Sequence, residues 1–263
     1  MSIMAILAAA LMLPPAEEIR RIPAAEARQG VVADERFVYA VSNSEIGRYD
    51  RRNGQRTAHW AGDPQLFIHM NSCTIVTREM VCAASNFPAT PMASSVEWFD
   101  LRTLRHVRSR SIGPGRGSLT WLEWADGSWW ACFANYDGRG GEAGRDHTRT
   151  VLVRYDKNFA EQESWLFPEP VLERFAPHSS SGGAIRNGLL YVTGHDRPEV
   201  YVLQLPTAGS RLVHLATIPI TTPGQAIQWD KADSGTLWSI DRKTSELVQS
   251  RMPKLDASAK SGH

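Results

Sequence analysis

Residues 29–60 read QGVVADERFVYAVSNSEIGRYDRRNGQRTAHW. Four short apolar segments stand in that run, Gln29 to Asp34, Phe37 to Asn43, Ile46 to Asp50 and Thr57 to Trp60, and turn residues separate them. Asn53-Gly54, between the third and fourth, is a strong hairpin signal. The segments are too short and too regularly interrupted for helices, so the run predicts four antiparallel strands.

The same order recurs along the chain. A second copy runs Asn71 to Val76, Met80 to Asn86, Ser95 to Asp100 and His106 to Ile112. A third runs Ser118 to Trp124, Trp129 to Asn135, Thr150 to Asp156 and Glu163 to Phe167, and a fourth Gly182 to Ile185, Leu189 to Thr193, Glu199 to Leu205 and Leu212 to Ile218. The fifth, Ala226 to Asp230, Thr236 to Ile240 and Glu246 to Arg251, stops one strand short. Ile19-Arg20-Arg21-Ile22-Pro23 stands before the first copy as Ala216-Thr217-Ile218-Pro219 stands before the fifth. The N-terminal segment is therefore expected to complete the last unit. Repeats of roughly 40–50 residues with four strands each predict an all-β, five-bladed β-propeller closed by its N-terminal strand. The nine tryptophans fall mainly inside strand segments and are expected to pack between blades.

Propeller topology also predicts where polar side chains meet. The innermost strand of a blade crosses from one face to the other and the second strand returns, so the start of one and the end of the other share a face. The starts carry Arg28 and Gln29, His69 and Asn71, Arg116 and Ser118, His178 and Ser181, and Gln225. The ends carry Asn43, Asn86, Asn135 with Tyr136, His195 with Asp196, and Asp241 with Arg242. The opposite turns, such as Thr77-Arg78-Glu79 and Asp126-Gly127-Ser128, read as plain hairpins. Ser, Asn and Asp also end strands by bonding nearby backbone, which is the plainer reading of any one of them. Five blades converging on one rim point instead to a substrate-binding face. The Gly- and Arg-rich insertion Asp137 to Thr148 falls on that face as a binding loop or a solvated excursion, with the Phe87 to Ser94 loop beside it.

Three histidines at the rim, His69, His178 and His195, are the candidate catalytic acid–base groups, because imidazole exchanges protons near neutral pH. With Asp196, Asp241 and the Asn carbonyls they could also ligate a metal: oxygen ligation would suit calcium, imidazole with carboxylate zinc. The chain has no nucleophile elbow, no HExxH, no Walker loop and no EF-hand loop. Gly113-Pro114-Gly115-Arg116-Gly117 precedes a strand, not a helix, and reads as a turn between blades.

The plan resembles the small bacterial propellers of the glutaminyl cyclotransferase-like and gluconolactonase-like families. Arg28-Gln29-Gly30-Val31 is similar to the Phe-Thr-Gln-Gly-Leu start of a cyclotransferase inner strand, and Leu119-Thr120-Trp121 to that family's Leu-Thr-Trp. The Phe-Thr pair is absent, and Ser42-Asn43-Ser44-Glu45 stands where a Glu-Ser-Thr-Gly element would end strand two. The resemblance implies the architecture and not the cyclotransferase reaction.

Composition limits the partners. The 263 residues carry 29 Lys+Arg against 28 Asp+Glu, a net charge of +1 with no long basic stripe, so no nucleic-acid partner is expected. The apolar run Ile3 to Leu13, followed by Pro14-Pro15-Ala16, has signal-peptide length and is too short to span a bilayer. It lacks a preceding Lys or Arg. The expected division is a signal peptide over residues 1–16, one propeller domain over 17–253 and a disordered tail over 254–263. Cys73, Cys82 and Cys132 are too few for a disulfide framework. Cys73 and Cys82 could face each other across a hairpin, with buried free thiols the favoured state. The reading as a whole is a periplasmic or secreted monomer that uses one face on a small-molecule or short-oligomer ligand, sugar-, lactone- or peptide-like. Hydrolase, lyase or cyclase chemistry is the leading expectation, and a non-catalytic binding propeller the alternative.

Overall fold

Period-two alternation builds each blade and buries it unevenly. In the first, Gly30–Ala33, Phe37–Val41 and Glu45–Asp50 are almost wholly buried, while the outer strand Arg56–Ala61 is exposed or half-exposed throughout. The inner strands are covered on both faces by neighbouring blades; the outer one meets solvent.

The computed structural model describes residues 10–255. Five antiparallel sheets of this kind form a ring. The second blade comprises His69–Val76, Glu79–Ser85, Ala93–Asp100 and His106–Pro114, and the third Ser118–Ala125, Ser128–Ala134, Val151–Tyr155 and Glu161–Leu166. Gly182–Arg186, Leu189–Thr193, Glu199–Gln204 and Val213–Pro219 make the fourth. Ile227–Trp229, Thr236–Asp241 and Glu246–Arg251 make the fifth, and Glu17–Pro23 completes it, antiparallel to Glu246–Arg251 with Ile22 opposite Leu247. The innermost strands touch in cyclic order, each meeting those of the two adjacent blades.

Five hydrophobic clusters fill the five junctions, and every tryptophan belongs to one of them. The seam between the last and first blades holds Ile22, Val31, Val38, Trp238 and Leu247. Close approach at two inner strands needs glycine: a Cβ on Gly183 would stand 2.3 Å from the Trp121 indole, and one on Gly30 2.6 Å from the Asn71 carbonyl oxygen. The turns from first to second strand in blades two, three and four are two-residue hairpins, with Asp126 and Gly127 both at positive φ (49° and 72°).

Three features depart from the sequence reading. Cys73 and Cys82 form a disulfide and are not free thiols. The two-residue turn Thr77-Arg78 sets Val76 opposite Glu79, and counting back three pairs brings the cysteines face to face with Cα atoms 4.0 Å apart. A short helix, Glu169–Phe175, lies between blades three and four; Pro168 and Pro170 open it, and Val171, Leu172 and Phe175 bury one side. Leu11–Met12 adds a fifth, parallel strand to blade four, pairing with Ala216 and Thr217. The beginning of the expected signal peptide, residues 1–9, and most of the expected tail, residues 256–263, lie outside the described residues.

Closure gives a directional stability test. Ile22 is buried in the seam, whereas Ile19 on the same strand is exposed. Ile22→Ala should cost roughly 2–5 kcal/mol and Ile19→Ala less than about 0.5 kcal/mol, measured by denaturant unfolding.

Candidate functional site

Where the innermost strands begin, the ring opens into a cup of about 560 Å³. All five blades line it: Gln29 and Asn43 from the first, His69 and Asn71 from the second, Tyr136 from the third, His178, Ser181 and His195 from the fourth, Gln225 and Arg242 from the fifth. Ten of the side chains expected on this face therefore line one cup.

The fourth blade supplies its most organised group. Pro177-His178 follows the short helix, whose Phe175 packs in the core against Phe167 and Tyr201, and His178 N–H donates to the Phe175 carbonyl at 3.0 Å. Ser179 and Ser180 are fully buried just after it; Ser180 Oγ accepts from the Trp121 indole at 3.0 Å. This anchoring holds His178 beside His195, which stands at the end of the returning strand. Their rings stack with centroids 4.1 Å apart. Asp196 bridges both, with Oδ2 2.8 Å from His178 Nδ1 and Oδ1 2.6 Å from His195 Nδ1.

Those contacts fix the tautomers. Arg242 Nη1 lies 3.1 Å from His195 Nε2, and since a guanidinium only donates, that nitrogen accepts. His195 is thus neutral with its proton on Nδ1, directed at Asp196. Burial pushes its pKa down, although the Asp196 bond acts against that. Burial would raise the Asp196 carboxyl, but hydrogen bonds from His195 and then His178 outweigh it and hold it below the usual range. His178 also donates Nδ1–H to this carboxylate, which leaves its Nε2 to exchange protons, an imidazole oriented by an acid.

Across the cup, His69 Nδ1 lies 2.9 Å from Asn43 Oδ1, which also accepts from Gln29 at 3.1 Å. Burial first, then Arg242 and Arg139, push its pKa down to about 4, so the ring is neutral near pH 7. It packs on Phe87 (5.0 Å), which meets Tyr136 (5.2 Å) in turn. Burial pushes the Tyr136 hydroxyl up to about 12.

Seven of the side chains expected on this face do not line the cup, Arg28 and Arg116 among them. Asn86 closes its own loop by accepting from Ala93 N–H and donating to the Pro91 carbonyl, and Asn135 donates to the carbonyls of Arg116 and Arg149. Ser118 is buried against Ser85, 2.8 Å between hydroxyls. Asp241 accepts from Arg21 at 3.0 Å and from Lys243 N–H, which secures the closing strand. Asp196 is exposed and acts through the two imidazoles it bonds. The cup also has walls from the two loops expected on this face, Phe87 and Pro88 from one and Gly138 and Arg139 from the other, and from residues the sequence reading left unassigned, Ile68, Thr120 and Pro177. Arg139 comes from the Gly-rich insertion, with its guanidinium carbon 5.8 Å from the Phe87 ring centre. Thr120 was legible in principle, two residues after Ser118 on an inner strand.

Deeper in the channel, Glu123 is enclosed and accepts from Gln228 Nε2 and, at 3.2 Å, from Thr74 Oγ1. Burial raises its carboxyl to about 7, while Gln228, Thr74 and Lys231 act to lower it. A lone carboxylate inside the apolar run Leu119 to Trp124 was its sequence signal.

Fold comparison agrees with the ring. No family model matches the chain, and no curated protein does. Among solved structures, the glutaminyl cyclase of Myxococcus xanthus superposes with a TM-score of 0.62 at 12% identity, over 94% of this chain and 100% of that one. A luciferin-regenerating enzyme superposes with a TM-score of 0.53 at 11% identity, over 90% and 95% of the two chains. The chain shares their propeller fold, which is the architecture its sequence resembles. Among the described residues no helix is long and apolar enough to cross a membrane.

His178, His195 and Asp196 offer three atoms close enough to share an ion. Asp241, engaged with Arg21, is not among them. Three ligands with an open position would suit zinc better than calcium. The Arg242 guanidinium against His195 opposes a divalent charge there, so elemental analysis after dialysis should find less than one zinc or calcium per chain.

The two enclosed acid–base groups pull stability in opposite directions with pH. His69 titrates lower folded than unfolded, so its contribution is complete above about 6.5 and is lost as pH falls through about 4. Glu123 titrates higher, so its contribution is complete below 4.5 and is lost as pH rises through about 7. Relative to the native protein, Glu123→Gln should gain melting temperature from pH 4.5 to 7, and His69→Gln should gain it on acidification from pH 6.5 to 4.

Proposed function

We propose that the protein is an exported enzyme that transfers a proton on a small polar substrate held in the cup, with His178 as the general acid–base. The reading is carried by one contact, the His178–Asp196 hydrogen bond at the wall of a concave pocket. A carboxylate on Nδ1 fixes the imidazole's orientation and strengthens Nε2 as a base, and it stabilises the imidazolium that forms on protonation. His195, stacked alongside and bonded to Arg242, positions that ring and does not compete for the proton. Gln29, Asn43, Asn71, Ser181 and Gln225 supply neutral donors and acceptors for substrate oxygens.

The chemistry this favours is hydrolysis, elimination or ring closure, each of which needs a proton delivered or removed at a substrate heteroatom. A concave cup with neutral imidazoles and a partly aromatic wall supports an enzyme over a flat docking surface. The two solved propellers of like fold are themselves named as enzymes, a glutaminyl cyclase and a luciferin-regenerating enzyme. Export fits the apolar N-terminal run together with a disulfide in the core of blade two, since such bonds persist in oxidising compartments.

A thermal-shift screen with sugars, lactones and short peptides should identify a ligand, because one present at a hundred times its Kd adds about 2.7 kcal/mol. On a substrate found this way, His178→Gln should lower kcat by about 10²–10⁴-fold with little change in melting temperature. Asp196→Asn should reproduce much of that loss. A fully active His178→Gln enzyme would remove the proposal.

A further inference from the structure

The cup is charged on one side of the ledger only. Its charged lining residues are Arg139 and Arg242, and no carboxylate lines it. In a chain with 29 basic and 28 acidic residues that excess is a local arrangement. Among the described residues neither guanidinium forms an ion pair. Other arginines reaching into the fold are matched: Arg51 with Asp230 at 2.6 Å, and Arg21 with Asp241 and Glu246.

Arg242 is the more telling of the two. It is half-buried, and its Nη1 is aimed at a neutral imidazole. Arg28, whose Nη1 donates to the Arg242 carbonyl at 3.3 Å, adds a third positive charge nearby; after burial, its charge is what lowers the Arg242 guanidinium's pKa most. Taking a cation out of water beside other cations is unfavourable without a counter-ion. Asp196, the carboxylate whose charge acts on Arg242, is occupied by two imidazole N–H groups. The other titratable groups lining this space are His69, His178, His195 and Tyr136; His69 and His195 are depressed and Tyr136 is raised, so near pH 7 these three add no charge to the wall.

We propose that the substrate is a small organic carboxylate whose anionic group docks on Arg242 and Arg139. A carboxylate is favoured over an inorganic anion because one part of the wall, Phe87, Pro88, Tyr136 and Pro177, is a surface for a carbon skeleton. Guanidinium groups match the planar two-oxygen geometry of a carboxylate. An anion on Arg242 lies beside His195, so the bonds next to the carboxylate are presented to the stacked imidazoles. The inference rests on the acid–base reading of His178 for what happens next, but not for binding.

The experiment is a calorimetric titration at pH 7 with acetate, lactate, succinate, malate and citrate, each against its neutral amide. It uses the His178→Gln protein, which keeps both arginines and lacks the proposed proton-transfer group. At least one acid should bind ten times or more tightly than its amide, and added salt should weaken it. Arg242→Gln, and less so Arg139→Gln, should abolish the preference. Arg242→Lys should keep part of it, which separates charge from misfolding. Equal binding of acids and amides, no binding of any acid at millimolar concentration, or phosphate binding where no carboxylate does would each overturn the inference. Binding with this signature in a protein that turns nothing over would leave it standing and remove the enzymatic reading. Turnover of a neutral substrate with no preference for acids would do the reverse.

Discussion

The pairing of Glu17–Pro23 with Glu246–Arg251 is the constraint on which the molecule depends. Without it the last sheet would have three strands and an open edge, and the seam holding Ile22, Val31, Trp238 and Leu247 would lose one wall. Polar contacts reinforce it: Arg21 reaches Asp241 and Glu246, and Arg20 reaches Gln249 and the Arg51 carbonyl. Asp241 is on the rim by position, yet it serves closure. The geometry of the cup is a by-product of this circular packing, because only a closed ring holds the ends of five inner strands around one mouth.

The scaffold also explains why the group with the most defined geometry is on blade four. The other blades enter their inner strands from simple turns, whereas this one is preceded by a helix with three buried side chains. That helix removes freedom from Pro177 and His178, and the buried Ser179 and Ser180 continue the restraint. On the opposite wall, the insertion carrying Arg139 packs across the Phe87 loop, where a Cβ on Gly140 would lie 2.5 Å from the Phe87 ring. Two loops of different blades thus form one side of the cup.

Strand periodicity made the ring legible, because four alternating segments in each copy leave few other ways to bury their faces. Closure was legible from the matched segments ahead of the first and fifth units. The rim was legible in outline: topology located Gln29, Asn43, His69, His178 and Arg242 without contacts. Side-chain direction was not, and Asn86, Asn135 and Asp241 illustrate why. An Asn or Asp ending a strand has backbone groups within reach, and these three satisfy them. Loop contributors such as Phe87 and Arg139 depend on how two excursions pack together, which no periodicity encodes. The helix was missed because about two turns among prolines leave too short an apolar pattern to register. The disulfide was legible only as a possibility, since choosing it required the turn length that sets the register.

The strand-closing contact joins residues 229 positions apart, Arg20 to Gln249. Closing so long a loop adds little free energy per extra residue, but it makes the search for native pairing slow. During synthesis Glu17–Pro23 must wait, unpartnered, until Glu246–Arg251 has left the ribosome. Ligand recognition is consequently an all-or-nothing property of the completed chain: a prematurely terminated product would display an unmatched edge and no assembled mouth, the kind of exposed surface by which proteases and chaperones distinguish faulty molecules from finished ones.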